Sequence, residues 1–207
     1  IKEFQGMNAS DDAEIHQMVQ RVLKQVLGQS QPAAALLPPA PVPAAETTSG
    51  SVPQAQVRQV VAIGADHGGY ELKEILKTTL NELGFDVRDV GAYNKGTVDY
   101  PEFAHEVARL VSVGKAWRGI MIDGAGIGSC IVANKVPGIR AGLAYDYSSA
   151  VNSREHNDTN VLTLGAGLIG VNLAKQIVQV WLTTEFGGGR RAGRVNKITA
   201  VEKQYLK

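Results

Sequence analysis

From Val57 to Lys207 the chain alternates short apolar runs with amphipathic stretches, and few folds accommodate that alternation. The runs Val57–Gly64, Val87–Val90, Gly119–Ile122, Ile139–Ala144 and Val161–Gly165 read as five buried parallel strands. Helical patterns separate them near Tyr70–Leu83, Pro101–Val113, Ile127–Lys135, Ser148–Glu155 and Val171–Leu182, and a last helix starts near Arg190. Parallel strands cannot be joined by tight hairpins and need long crossovers. The expected fold class is therefore α/β, a five-stranded parallel sheet covered by helices on both faces. In such sheets ligands gather at the carboxyl ends of the strands.

The first 56 residues are of another kind. Ile1–Gly6 precede Met7 and are expected to be a vector-derived scar. Ile15, Met18, Val19, Val22, Leu23, Val26 and Leu27 fall at i, i+3, i+4, i+7, i+8, i+11 and i+12, one apolar stripe on a helix. Ser10 or Asp11 can cap that helix, Asp11 and Glu14 have capping-box spacing, and Gly28 suits its end. Residues 29–56 hold six of the eight prolines, with alanine, serine, threonine and glutamine between them. That composition builds a linker rather than a core. The expected organisation is thus 1–28 as scar and amphipathic helix, 29–56 as linker and 57–207 as the globular domain.

Composition narrows the function. Lys plus Arg (21) nearly balances Asp plus Glu (20), and a net charge of +1 gives no electrostatic case for a nucleic-acid or membrane-surface protein. The single cysteine, Cys130, rules out a disulfide within the chain and fits a reducing compartment. No apolar run approaches the roughly 20 residues of a membrane span. The start lacks the basic and apolar regions of a secretory signal. A cytoplasmic protein is expected.

Polar residues punctuate the strand ends. Asp66-His67-Gly68-Gly69 follows the first strand, where a carboxylate and an imidazole beside glycines can address a polar ligand; a helix-capping Asp beside a loop His is the plainer alternative. Asp123-Gly124-Ala125-Gly126-Ile127-Gly128-Ser129 follows the third strand, and its glycines let backbone N–H groups approach an oxyanion. The spacing is not that of a dinucleotide loop, because the third glycine comes one residue early. Arg154-Glu155-His156-Asn157-Asp158 ends a helix. Near the C-terminus, Arg190 and Arg194 stand at i, i+4 on one helix face, which suits a phosphate dianion or simply a solvated basic surface.

Taken together, Val61–Lys73, Val98-Asp99-Tyr100-Pro101, Ala133-Asn134-Lys135, Arg154–Leu162 and Gly188–Val195 resemble the ribose-5-phosphate isomerase B family, which includes galactose-6-phosphate isomerase. The resemblance runs in unbroken order from Val57 to the C-terminus. It implies a Rossmann-like three-layer sandwich, a homodimer or homotetramer with active sites at the subunit interface, a phosphorylated sugar as substrate, and neither a metal nor an organic cofactor. By the same resemblance His156 would open the sugar ring. Asp66 would hold sugar hydroxyls, Tyr100 and Asn157 would line the sugar site, and His67, Arg190 and Arg194 would bind phosphate, some from the neighbouring subunit. The N–H groups of Gly124, Gly126, Ile127 and Gly128 would hold the enediolate oxygen. The helix and linker before the domain resemble the encapsulation peptides of bacterial microcompartments, so residues 10–28 are expected to bind shell or cargo proteins.

Three positions depart from the family pattern. Asp123 occupies the usual place of the catalytic cysteine, Ala125 that of a threonine or serine, and Gly167 that of an arginine. Some members place a glutamate base at the position of Ser129. A carboxylate can take a proton from carbon if it lies within reach, so Asp123 is the expected base of an enediolate mechanism; a strand-end residue capping the glycine turn is the alternative. Cys130, inside the next helix, is expected to be inert packing. His105 is expected to be a surface or packing residue. The changed positions suggest a shorter sugar, a tetrose phosphate, beside pentose and hexose phosphates. They also leave open a weakened homologue that binds a sugar phosphate or serves as a scaffold. A nucleotide-dependent oxidoreductase has only the glycines in its favour.

Overall fold

A computed structural model of the chain describes residues 58–205. The expected helix within 10–28 and the linker at 29–56 lie outside the described residues. The strands are β1 (Val60–Ala65), β2 (Asp86–Asp89), β3 (Arg118–Asp123), β4 (Ala141–Leu143) and β5 (Val161–Gly165). The helices are α1 (Tyr70–Glu82), α2 (Tyr100–Ser112), α3 (Ile127–Ala133), α4 (Tyr147–Asn157), α5 (Val171–Thr183) and α6 (Gly189–Tyr205). All strand pairs are parallel, in the order β2-β1-β3-β5-β4. The expected α/β sandwich with a five-stranded parallel sheet is what the chain forms.

The period of two along each strand divides the core into two layers. Val61, Ile63 and Ala65 of β1, with Ile120, Ile122, Leu162 and Leu164, face Leu72, Leu76 and Leu80 of α1 and Ile177, Val178 and Trp181 of α5. Ala62, Met121 and Val161 point the other way, onto Ala104, Val107 and Leu110 of α2 and Ala133 of α3. Fully buried side chains of this size stabilise the fold by roughly 1.5–3 kcal/mol each. Gly64 and Gly119 let α2 approach, since a Cβ at either would lie within 3 Å of Val107.

Two of the expected buried strands are only half-buried. β2 alternates exposed and partly buried residues, and β4 is three partly buried residues within the apolar run 139–144. Both are edge strands with a neighbour on one side only, so their apolar content reflects the helices beside them rather than full enclosure. Among the described residues, no helix is long and apolar enough to cross a membrane.

An ion cluster fastens the β2 edge to α1. The ammonium of Lys73, fully buried, lies 2.6 Å from Asp89 Oδ2 and 2.9 Å from Glu74 Oε1. Lys77 reaches the same two carboxylates at 2.7 and 2.8 Å. Burial pushes the Asp89 carboxyl up, but the bonds from Lys73, Lys77 and the Gly91 N–H outweigh it and hold it below the ordinary carboxylate range. Removing one partner of a buried pair leaves the other charge uncompensated. Asp89→Ala should destabilise the fold by about 3 kcal/mol in urea titration. Because the folded group is depressed, its contribution is complete above about pH 4, the ordinary aspartate range, and is lost as the pH falls through the folded value. The wild-type stability curve should therefore drop in acid more steeply than that of Asp89→Ala.

Candidate active site

At the carboxyl edge of the sheet, the turns after β1 and β3 lie against each other. Asp66 is buried; its N–H donates to Ile122 O at 3.1 Å, and its Oδ1 accepts from Gly69 N–H at 2.9 Å. Gly69 must be glycine here, since a Cβ would stand 2.3 Å from Ile122 O. His67 is exposed, with Nδ1 3.1 Å from the Val98 carbonyl oxygen and 3.4 Å from the Val98 backbone nitrogen. Tyr100, the first residue of α2, lays its ring on Gly128: a Cβ there would lie 2.5 Å from Tyr100 Cζ.

Asp123 ends β3 and is buried. Its Oδ1 accepts from the N–H groups of Ala125, at 2.8 Å, and Gly126. Its Oδ2 accepts from Ser129 N–H at 3.1 Å and from the Ser129 hydroxyl. Gly126 closes the turn with φ +78°, a left-handed conformation that favours glycine. The Asp123 and Gly124 carbonyls accept from the N–H groups of Ala166 and Gly167 after β5, at 2.8 and 3.0 Å. The N–H groups of Gly124, Ile127 and Gly128 have no acceptor among the described residues. The turn thus presents an array of donors beside Asp66, His67 and Tyr100, an arrangement that can receive an oxyanion.

His156, Asn157, Arg190 and Arg194 are elsewhere. Helix α4 leaves the carboxyl end of β4 and returns to the start of β5, so it runs against the strands. Its 11 residues span about 16 Å. Asp146 caps its start by accepting from Ser149 N–H at 2.7 Å. His156 and Asn157 close its far end, at the amino edge of the sheet. There Nη2 of Arg191 lies 2.9 Å from His156 Nε2 and 2.7 Å from Glu155 Oε1, and the Gly187 N–H donates to Glu155 O at 3.0 Å. Arg190 and Arg194 are exposed on α6. Asn157 lines a groove of about 780 Å³ beside the open edge of β4, with Asn134, Arg140 and Asn152 among the other walls.

Two buried arginines anchor this amino-edge cluster. Arg118 Nη1 donates to Trp181 O and Leu182 O at 2.7 and 3.0 Å, and Arg154 donates to Thr184 O, Thr159 O and Asp158 Oδ1. The Trp181, Leu182 and Thr184 carbonyls among these acceptors lie where α5 ends and gives way to α6. Burial, and next the neighbouring Arg154 guanidinium, bring Arg118 down to about 10; it remains a cation at neutral pH.

A model of the Ribose/Galactose Isomerase family matches residues 61–198. The chain belongs to that family. It is similar to the ribose-5-phosphate isomerase B of Escherichia coli, 44% identical over 144 residues that cover 70% of this chain and 97% of that protein. It is 43% identical to the D-erythrulose-4-phosphate isomerase of Pectobacterium atrosepticum over 145 residues, 70% of this chain and 95% of the relative. Its fold matches the ribose-5-phosphate isomerase B of Clostridium thermocellum with a TM-score of 0.70 and 48% identity, covering 71% of this chain and 99% of that one. The chain is accordingly an isomerase of the ribose-5-phosphate isomerase B type.

The structure therefore brings Asp66, His67, Tyr100, Asp123 and Gly124–Gly128 together and sets His156, Asn157, Arg190 and Arg194 apart. The contacts of Ser129 with Asp123 and of Arg191 with His156 are not apparent from the sequence pattern. The first has only a local signal, a hydroxyl in the first turn of α3 six residues after Asp123; the second has none, since Arg191 lies between the i, i+4 pair Arg190 and Arg194. Cys130 is partly buried in α3, its Sγ 3.5 Å from Ala141 O, and burial pushes the thiol up, away from a reactive thiolate. His105 is exposed on α2. Gly128→Ala should push the Tyr100 ring off the turn and lower kcat/KM about tenfold for the sugar phosphate turned over, with the melting temperature within a few degrees of the parent. An unchanged kcat/KM would show that the Tyr100–Gly128 contact has no part in the site.

Proposed function

We propose that the chain is a cofactor-independent aldose–ketose isomerase of a four- or five-carbon sugar phosphate, acting through an enediolate. The observation that carries this reading is the turn Gly124–Gly128 at the carboxyl edge of the sheet, beside buried Asp66 and Asp123: the N–H groups of Gly124, Ile127 and Gly128 have no acceptor among the described residues, whereas that of Gly126, expected from the sequence to join them, is taken by Asp123. The developing enediolate oxygen would be received by those donors, and Asp66 would orient hydroxyls.

Asp123 is the proposed base. A carboxylate offers about four lone-pair sites, and the four donors from the turn and Ser129 occupy them. Three of these donors are backbone groups fixed by the turn. The Ser129 hydroxyl alone is a rotor, and its rotation would free Oδ2 to take a proton from the carbon beside the carbonyl. The same saturation favours a second reading, in which Asp123 only fastens the turn and the chain binds sugar phosphates without turning them over.

His156 and the tail arginines enter the reaction from a second copy of the chain, since in one copy they stand at the opposite edge of the sheet from Asp123. A homodimer that aligns one copy's carboxyl edge with the other's amino edge would complete two sites. The substrate follows from what is missing. Ala125 has no hydroxyl to assist ring opening, and Gly167 brings no guanidinium but packs on Gly124 O. A tetrose 4-phosphate carries its phosphate on the oxygen that would close a furanose ring, so it needs no opening; the D-erythrulose-4-phosphate isomerase among the relatives fits this. Residues 10–28 would serve as a targeting helix for a microcompartment shell or its cargo.

Proton NMR in deuterated water tests the chemistry with four-, five- and six-carbon sugar phosphates. Deuterium should enter the carbon next to the carbonyl, fastest with a tetrose phosphate. Asp123→Asn should lower exchange by at least about 100-fold, and Ser129→Ala should retain it. Equal or greater activity with ribose 5-phosphate would remove the tetrose preference. No exchange with any member, in folded protein, would favour the binding reading.

A further inference from the structure

We propose that Arg191 is a positioning residue that holds the His156 imidazole in its Nδ1–H tautomer, so that Nδ1–H is the group offered to the sugar. This rests on the reading of His156 as a group that acts on the substrate. The argument is geometric. Arg191 Nη2 lies 2.9 Å from His156 Nε2. A guanidinium has only donors and no lone pair to offer. The bond therefore exists only when Nε2 contributes its lone pair, which leaves the ring proton on Nδ1. Neutral imidazoles that polarise a substrate oxygen through an N–H are established chemistry for proton-transfer isomerases.

The guanidinium is itself held. Glu155 Oε1 lies 2.7 Å from the same Nη2 and 4.0 Å from His156 Nε2, so the carboxylate grips the arginine rather than the ring. On its other side the guanidinium lies against the turn that leads into α6: a Cβ on Gly187 would stand 2.5 Å from Arg191 Nη1. Gly187 N–H in turn donates to the Glu155 carbonyl. The result is a closed arrangement of Glu155, Arg191, His156 and Gly187 joining the last turn of α4 to the first turn of α6. Arg190 and Arg194 make no ion pair or hydrogen bond among the described residues and are exposed. The basic cluster thus divides by role: Arg190 and Arg194 are free for an anion, and Arg191 is committed to the imidazole.

Long-range proton–nitrogen correlation on the ¹⁵N-labelled full chain reads the tautomer directly. The spectrum is taken at about pH 8, where an ordinary imidazole is neutral, and the His156 signals are assigned by their loss in His156→Asn. Nδ1 should read as the protonated nitrogen and Nε2 as the bare one. Arg191→Met should move the ring toward the Nε2–H form that free histidine favours, while Arg191→Gln, whose amide still donates, should keep the parent pattern. In kinetics with the best substrate of the panel above, Arg191→Met should lower kcat about tenfold with KM within about twofold, and Arg191→Gln should recover most of the loss. Arg190→Met should instead raise KM. A parent spectrum with the proton on Nε2, or an Arg191→Met spectrum identical to the parent, would overturn the proposal. So would a tautomer change without a change in kcat, or a rise in KM matching that of Arg190→Met. Absence of turnover by the parent chain would sink the isomerase reading and the role assigned to Arg191 with it, while the spectrum would still decide the tautomer.

Discussion

Asp123 stands where β3 gives way to the glycine turn, and its carboxylate accepts hydrogen bonds from Ala125, Gly126 and twice from Ser129. Glycines alone would leave that turn many conformations, since each gives up more backbone freedom on folding than any other residue. The buried carboxylate selects one of them. It ties the end of the strand to the first turn of α3, and the carbonyls of Asp123 and Gly124 meanwhile receive the N–H groups that follow β5. The N–H groups of Gly124, Ile127 and Gly128 are left without an acceptor among the described residues. Tyr100, resting on Gly128, and the Asp66 turn, resting on Ile122 O, are placed against the same fastening. One side chain thereby sets the shape of the whole carboxyl-edge half of the site.

The fold was legible because its signals are local and redundant. The apolar runs and helix stripes reproduced all eleven elements of the described domain, with boundaries shifted by a few residues. β2 and β4 differ from the expected buried strands because a run of apolar residues carries no information on how many neighbours a strand has. The run 139–144 shows this: Ile139 and Ala144 are buried, while the strand between them is half open. The site was legible as a set of residues but less so as a geometry. Asp66 and Asp123 announced themselves by their place after strands. The donors that saturate Asp123 could not be counted from sequence, because they depend on how sharply Gly126 turns. The bond between Arg191 and His156 joins residues 35 apart, and no local pattern reports a contact across α5.

The amino edge has its own scaffold. Arg118 is pressed between the rings of Trp117 and Trp181, 4.0 and 5.1 Å from their centroids, and its donors close the end of α5. Arg154 ties the Thr184 carbonyl at that same end to the Thr159 carbonyl ahead of β5. These cations are far from the glycine turn, yet they fix where the chain leaves α5 and therefore where α6 begins. The position of His156 relative to the tail arginines is thus inherited from the core, not from the surface on which those residues lie.

Helix α4, by running against the strands, sets the His156 cluster at the opposite edge of the sheet from the Asp123 turn. Where two copies complete one another, a genetic consequence follows from this direction of travel. A chain altered only at its carboxyl edge and a chain altered only at its amino edge carry their defects in different places. In a mixed pair, both lesions fall together in one site and the other site is wholly intact. Two inactive alleles would then complement each other inside one cell, whereas two lesions on the same edge would not.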